Sequence, residues 1–176
     1  VPELISEYKA PTQLGDDYYS NILEYGGALY QLPCPIQEFT DNGFEIQEKN
    51  SDMVIGAGDT GMAEMMKDNQ RIRVPVKNFA PYATVLENCF IIELDEYDFG
   101  ANRYSSMVFP GGITFGSSEE EVLAAIADYN YESSESGKST YYYVYGVEEY
   151  SAYGYQIVVE DGKVTSLGAR QTDINW

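Results

Sequence analysis

The stretch from Ser139 to Gln171 constrains this chain most tightly. It reads STYYYVYGV, then YSAYGYQIVVE, then KVTSLGARQ, with Asp161-Gly162 between the last two. Aromatic and β-branched residues at alternate positions suit a pleated sheet and fit no helix. Asp-Gly between two such runs predicts a two-residue type I′ hairpin, because both central residues need positive φ. Tyr141, Tyr143 and Tyr145 then share one strand face, with Tyr142 and Val144 on the other; Tyr153 and Tyr155 run in register with Ile157 and Val159. Since Tyr142 and Tyr143 point to opposite faces, at least one row has to be core. Aromatic ladders stabilise a sheet without any ligand. An exposed row instead offers rigid amphipathic area for a protein or sugar, which makes Tyr141, Tyr143, Tyr145, Tyr153 and Tyr155 the candidate recognition surface.

Shorter elements of the same kind precede this region. NILEYGGALYQL alternates around Gly26-Gly27 and predicts a hairpin. Pro35 pre-sets the first turn of a short helix, PIQEFTDN, which Gly43 ends. GFEIQE reads as a strand, Met62–Lys67 as a short helix, and 133–139 as a Ser/Gly-rich loop. RIRVPVKNF carries Pro75 and is expected on an edge or at a bulge, and Cys89–Leu94 as a central strand. SSMVFPGGITF gives two strands broken at Pro110-Gly111-Gly112. Ser117-Ser118-Glu119-Glu120-Glu121 then supplies a capping box and an acidic first turn for a helix whose Val122, Leu123 and Ile126 share one face. QTDINW closes the chain as a tail with Trp176 docked on the body. The resulting class is α+β: mainly antiparallel sheet with a few short helices. Residues 1–17 read as a tether or disordered N-terminus, 18–104 as one α+β half, and 105–176 as a second half packed with it as one unit. QLPCPIQEFTDNGFEI and ITFGSSEEEVLAAIADYNY both run strand, short acidic helix, strand, so the halves are candidates for relatives.

Composition narrows the chemistry. The chain has 176 residues, 29 Asp and Glu against 10 Lys and Arg, no histidine, and a formal net charge of −19. Such a field repels phosphate backbones and anionic membranes, so nucleic acid is not an expected partner. Without histidine, Ser-His-Asp and Cys-His catalysis and histidine-ligated zinc are excluded. No stretch approaches the roughly 18 apolar residues of a membrane span. The chain opens at Val1 without methionine, and a mature chain from which an export signal has been removed is the expectation; acidity, abundant tyrosine and scarce lysine suit an extracellular or cell-surface setting.

Some motifs resemble a known family. FPGGITFGSSEEEVLAAI, followed by Tyr-rich strands and IVVEDGKVTSLGA, resembles the repeat of small exported Gram-positive lipoproteins, related in style to the β-lactamase-inhibitor-protein-like and outer-membrane-assembly-lipoprotein families. There a GxSxxEV helix start precedes a meander ending in a dGkV hairpin; Gly116, Ser118, Glu121, Val122, Gly162, Lys163 and Val164 match. LYQLPCPIQEFTDNGFEI is similar to lipoproteins carrying the same C-terminal module. The resemblance covers roughly 28–46 and 105–170, and departs in having Asp128-Tyr129-Asn130 where the family has Gly-x-Pro. It implies an exported, lipid-anchored protein with the anchor upstream of Val1, and it transfers fold better than function.

The remaining chemistry is sparse. Gly56-Ala57-Gly58-Asp59-Thr60-Gly61 is a literal GxGxxG, but the preceding strand is short and no acid ends the next one, so a mobile glycine loop is expected and no cofactor. Carboxylates cluster at Glu93, Asp95, Glu96 and Asp98, at Glu119–Glu121, and at Glu148-Glu149, with no EF-hand spacing and no metal site expected. Cys34 and Cys89 are either a disulfide, if the protein is exported, or two buried thiols. The expected role is a non-enzymatic binding or scaffolding module for a protein or cell-wall component, with no catalytic residue; the alternative is a carboxylate-dependent glycan hydrolase.

Overall fold

The computed structural model describes residues 2–98, 106–146 and 153–176. Most of it is antiparallel β-sheet with a few short helices. Glu148, Glu149, the expected strand start at 150–152 and the 104/105 boundary lie outside the described residues. The chain divides into two compact units that do not follow that boundary: residues 1–10, 32–94 and 172–176 form the first, and 11–31 with 95–171 the second.

In the first unit the strands run in the order Cys34–Pro35, Phe90–Ile91, Gln70–Lys77, Thr60–Lys67, Glu45–Ile46, with a separate pair Val54–Ile55 and Thr84–Val85. Pro35 precedes the helix Ile36–Asp41 as expected, and Gly43 follows it at φ +92°. The helix expected at Met62–Lys67 is instead part of a strand, paired residue by residue with Gln70–Lys77. Asp68 and Asn69, both at positive φ, form the turn; short polar side chains tolerate that region, and pairing that buries Ala63 and Met65 overrides the helical preference of methionine. Pro75 sits inside the sheet, where the short Phe90–Ile91 neighbour ends: its carbonyl accepts from the Ile92 N–H at 3.1 Å. Cys89–Leu94 is no single central strand, because its pairing changes sheet between Phe90–Ile91 and Glu93–Tyr97. The N-terminus is not simply a tether. Pro2–Glu7 is helical, and the buried Tyr8 ring meets Trp176 edge-on at 5.3 Å. Trp176 docks as expected, its indole N–H donating to the Pro33 carbonyl at 2.7 Å.

The second unit pairs two sheets. One runs Ile113–Thr114, Met107–Phe109, Ile22–Tyr25, Ala28–Gln31; the other runs Glu93–Tyr97 (which enters this unit at Asp95), Lys163–Arg170, Tyr153–Glu160, Ser139–Tyr145, Tyr131–Ser136. The Gly26-Gly27 and Asp161-Gly162 turns have positive φ at both positions, as type I′ geometry requires. The expected 133–139 loop is a hairpin, with Gly137 at φ +62° opening a two-residue turn. The helix Glu119–Ile126 has Ser118 as N-cap: its hydroxyl accepts from the Glu121 N–H at 3.1 Å, and the Glu121 carboxylate accepts from the Ser118 N–H at 2.7 Å. Val122 and Ile126 are buried, but Leu123 is 37% exposed, since it lies a third of a turn off their line. The cap is also stitched to the Asp161-Gly162 turn, because Glu119 N–H donates to the Gly162 carbonyl and Val164 N–H to that of Ser117.

Ser118→Ala removes one half of this capping box. A loss of about 1 kcal/mol is expected in urea denaturation, and a loss below a few tenths would show that the turn contacts alone hold the helix start.

Candidate functional site

The two faces of Ser139–Tyr145 meet different surroundings. Tyr142 and Val144 are buried, while Tyr141, Tyr143 and Tyr145 are half-buried. Tyr142 lies under the helix, its hydroxyl donating to the Glu119 carboxylate at 2.6 Å; burial, then that bond, pushes its pKa up to about 12. On the outer face Tyr141 and Tyr143 have parallel rings 6.3 Å apart, and Tyr153 lies 5.2 Å from Tyr143. The Tyr145 hydroxyl donates to Glu132 at 3.0 Å.

Tyr155 does not belong to this surface. It is fully buried, edge-on to Phe109 and Tyr18 at 4.9 Å each, and its hydroxyl donates to the Ile22 carbonyl at 2.8 Å. Tyr153 and Tyr155 part company through a bulge: Val144 opposes Tyr155, but Tyr145 opposes Tyr153, leaving Gly154 as the extra residue. One inserted residue inverts the alternation and turns Tyr153 to the outer face. The candidate surface is therefore Tyr141, Tyr143, Tyr145 and Tyr153.

Gln156, Gly168 and Tyr97 escaped sequence reasoning, which had placed Asp95 only in a carboxylate cluster. Gln156 opposes both Tyr143 and Gly168, which places Gly168 on the same outer face. A side chain at 168 would overlap the Asp95 carboxylate, so glycine there lets Asp95 lie close over the sheet beside Gln156. Tyr97, two residues on, is 55% exposed. The available signal was a glycine in the interior of the strand Lys163–Arg170.

The carboxyls that burial raises are not the ones that share a hollow. Glu96 is buried with the Tyr25 hydroxyl donating to it at 2.5 Å; burial raises its pKa and that bond opposes the rise. Burial, then Asp41, raises Glu38 in the other unit. A hollow of about 470 Å³ in the second unit is lined by Asp16, Gly112, Ser117, Glu121, Asp128 and Tyr129, among others. The bonds to Ser118 hold Glu121 below the usual carboxylate range. Neither raised carboxyl lines this hollow. Among the described residues no group of three or more His, Cys, Asp or Glu is placed to hold a metal ion.

The glycine motif is a turn leading into the strand Thr60–Lys67, with no helix behind it. It is pinned rather than loose. Asn78, fully buried, places Nδ2 at 3.1, 2.9 and 2.8 Å from the carbonyls of Ile55, Gly56 and Tyr82, and its Oδ1 accepts from Ala80 N–H at 2.8 Å. The disulfide expected as one alternative for Cys34 and Cys89 is not formed; both are buried free thiols. Cys34 opposes Ile91, which sets Cys89 two residues along the partner strand. Diagonal neighbours at about 7–8 Å between Cα atoms exceed disulfide reach. Burial lifts both thiols, Cys89 to about 11 and Cys34 well above its ordinary value.

Comparison with known protein families, curated proteins and solved structures finds no match. The lipoprotein resemblance therefore rests on its motif residues alone. No helix among the described residues is long and apolar enough to cross a membrane.

Asn78→Ala strips two buried and two part-buried backbone groups of their partner and is expected to cost about 2–4 kcal/mol in chemical denaturation; a loss under about 1 kcal/mol would mean water replaces the amide. Glu96 predicts a pH dependence. Its raised pKa means the folded chain holds this proton to higher pH than the unfolded one, so its stabilisation is present below about pH 4.3 and is lost as pH rises through the raised value. Glu96→Gln keeps an acceptor for Tyr25 and removes the titration, and should flatten stability measured from about pH 4 to about pH 7. An unchanged slope would assign that dependence to other groups.

Proposed function

We propose that the protein is a non-enzymatic binding module that recognises a protein or cell-envelope component through the outer face of its five-stranded sheet, and that it works outside the cell or anchored at its surface. The observation that carries this reading is the grouping of Tyr141, Tyr143, Tyr145 and Tyr153 on one partly exposed face, bordered by Gln156, Asp95 and the small Gly168. Such a face combines flat apolar area with hydrogen-bonding rims, the composition that sugar- and protein-binding surfaces share. A surplus of acid keeps the molecule soluble and favours ligands without negative charge.

Hydrolysis has less support. A glycosidase needs one carboxyl held protonated beside a second in a shared cleft. Glu96 and Glu38 have raised pKa values but do not line the acidic hollow, while Glu121, which does, is shifted the opposite way. We also read the two units as variants of one strand–helix–strand plan: Cys34–Pro35 leads through Ile36–Asp41 to Glu45–Ile46 in the first, and Ile113–Thr114 through Glu119–Ile126 to Tyr131–Ser136 in the second.

Tyr141→Ser with Tyr143→Ser separates recognition from sheet stabilisation. Loss of two aromatic cross-strand partners should cost about 0.5–2 kcal/mol, leaving a folded domain. Binding to purified cell-wall fragments and to a glycan array is expected to fall at least about tenfold, as for central aromatic contacts. Unchanged retention by the folded variant on every ligand the parent holds would refute the tyrosine face as the site.

A further inference from the structure

Tyr131–Ser136 forms one side of the five-stranded sheet, and among the described residues no strand pairs with its outer side. All six of its residues are exposed, which a covering segment would prevent. The strand joins Ser139–Tyr145 through Gly137-Lys138 and pairs with it without a register shift, from Ser136 opposite Ser139 to Tyr131 opposite Val144. A two-residue turn is closed by a hydrogen-bonded pair, and bonded and non-bonded pairs then alternate. The Tyr145 N–H, donating to the Asn130 carbonyl at 2.9 Å, continues that alternation. Backbone groups of Ser136, Ser134 and Glu132 therefore face inward, and those of Tyr131, Ser133 and Glu135 face the open side. Three donors and three acceptors stand in one straight row.

Proteins ordinarily blunt such an edge with proline, charged side chains, a bulge or a very short strand. Of these devices this strand has charge alone. Its charges are two carboxylates: Glu132 beside Tyr143 on the outer face, and Glu135 beside Thr140 on the inner one. A second copy would set carboxylate against carboxylate under a net charge of −19 on each chain. An extended segment carrying Lys or Arg meets opposite charge on either face, with Tyr131 and Tyr145 at hand for its alkyl stems. We propose that this edge binds an extended Lys- or Arg-bearing peptide segment of a partner protein, which adds to the sheet as a sixth strand. The inference stands apart from the tyrosine-face reading, since it uses the strand's backbone and not Tyr141 or Tyr143.

The test uses the whole chain and synthetic peptides of one alternating design. One carries Lys at every second position, one carries Glu instead, and one is the Lys peptide N-methylated at the amides that would pair. The Lys peptide is expected to bind, with weakening as salt rises, and to shift and slow the exchange of the Tyr131, Ser133 and Glu135 amides in NMR. N-methylation should weaken binding at least about tenfold, and the Glu peptide should not bind. Ser133→Pro removes an outward N–H without touching the inward ladder, and should also weaken binding at least about tenfold. Glu132→Gln with Glu135→Gln should do the same for the Lys peptide while the Tyr145 hydroxyl keeps an acceptor. Equal affinity for the N-methylated peptide would reduce the effect to charge alone and overturn strand addition. Equal affinity for the Glu peptide, amide changes elsewhere, or a dimer that Ser133→Pro abolishes would overturn it as well. Because N-methylation alters only the peptide, the result does not depend on how the variants fold. Peptide binding that survives Tyr141→Ser with Tyr143→Ser keeps this proposal separate from the fate of the tyrosine face.

Discussion

Burying a phenol costs free energy unless its hydroxyl finds an acceptor, and in the second unit Tyr155 finds one in the Ile22 carbonyl on the opposite sheet. Its ring fills the space between Phe109 and Tyr18, so apolar packing and the hydrogen bond select the same sheet spacing. Tyr25 repeats the arrangement from the other side, crossing to Glu96. Two such ties fix which face of the five-stranded sheet is core, and the helix Glu119–Ile126 covers more of that face by way of Val122, Ile126 and the Tyr142–Glu119 bond. With the inner face committed, alternation sends Tyr141, Tyr143 and Tyr145 outward.

This division explains how one strand holds four aromatic residues in different settings. Tyr142 contributes to the core, and its neighbours contribute area to the outside. The bulge at Gly154 then recruits Tyr153 to the outer group while leaving Tyr155 inside. A glycine at 168 lowers the surface where Asp95 and Gln156 approach each other. The acidic residues are distributed in the same way. Glu121 caps a helix, Glu119 accepts from a buried tyrosine, Glu96 is enclosed, and Glu132 and Glu135 border an open backbone edge. A net charge of −19 is thus a sum over separate local roles.

Short-range chemistry was the legible part of the sequence. Asp161-Gly162, Gly26-Gly27 and the Ser118–Glu121 box each depend on residues within four positions of one another, and each forms as read. Failures came where the deciding partner is distant or the turn is unusual. Met62–Lys67 looks helical until Gln70–Lys77 pairs with it through Asp68-Asn69, a turn with positive φ and no glycine. The Ser-rich 133–139 stretch is a strand end and turn because Ser139–Tyr145 offers Tyr131–Ser136 a ladder. The glycine motif reads as mobile until Asn78, about twenty residues on, bonds its carbonyls.

By itself, then, the sequence determined a sheet-rich chain, the Gly26-Gly27 and Asp161-Gly162 turns, the capped helix at Ser118, and a chemistry without histidine. Those follow from backbone dihedrals, capping geometry and side-chain type, which act over a few residues. Only the tertiary structure decided which tyrosine row is core, that Tyr155 leaves the outer face, that Cys34 and Cys89 stand out of register for a disulfide, and that no described strand pairs with the outer side of Tyr131–Ser136. Each depends on strand register and sheet order, which are set by contacts between residues far apart in the chain.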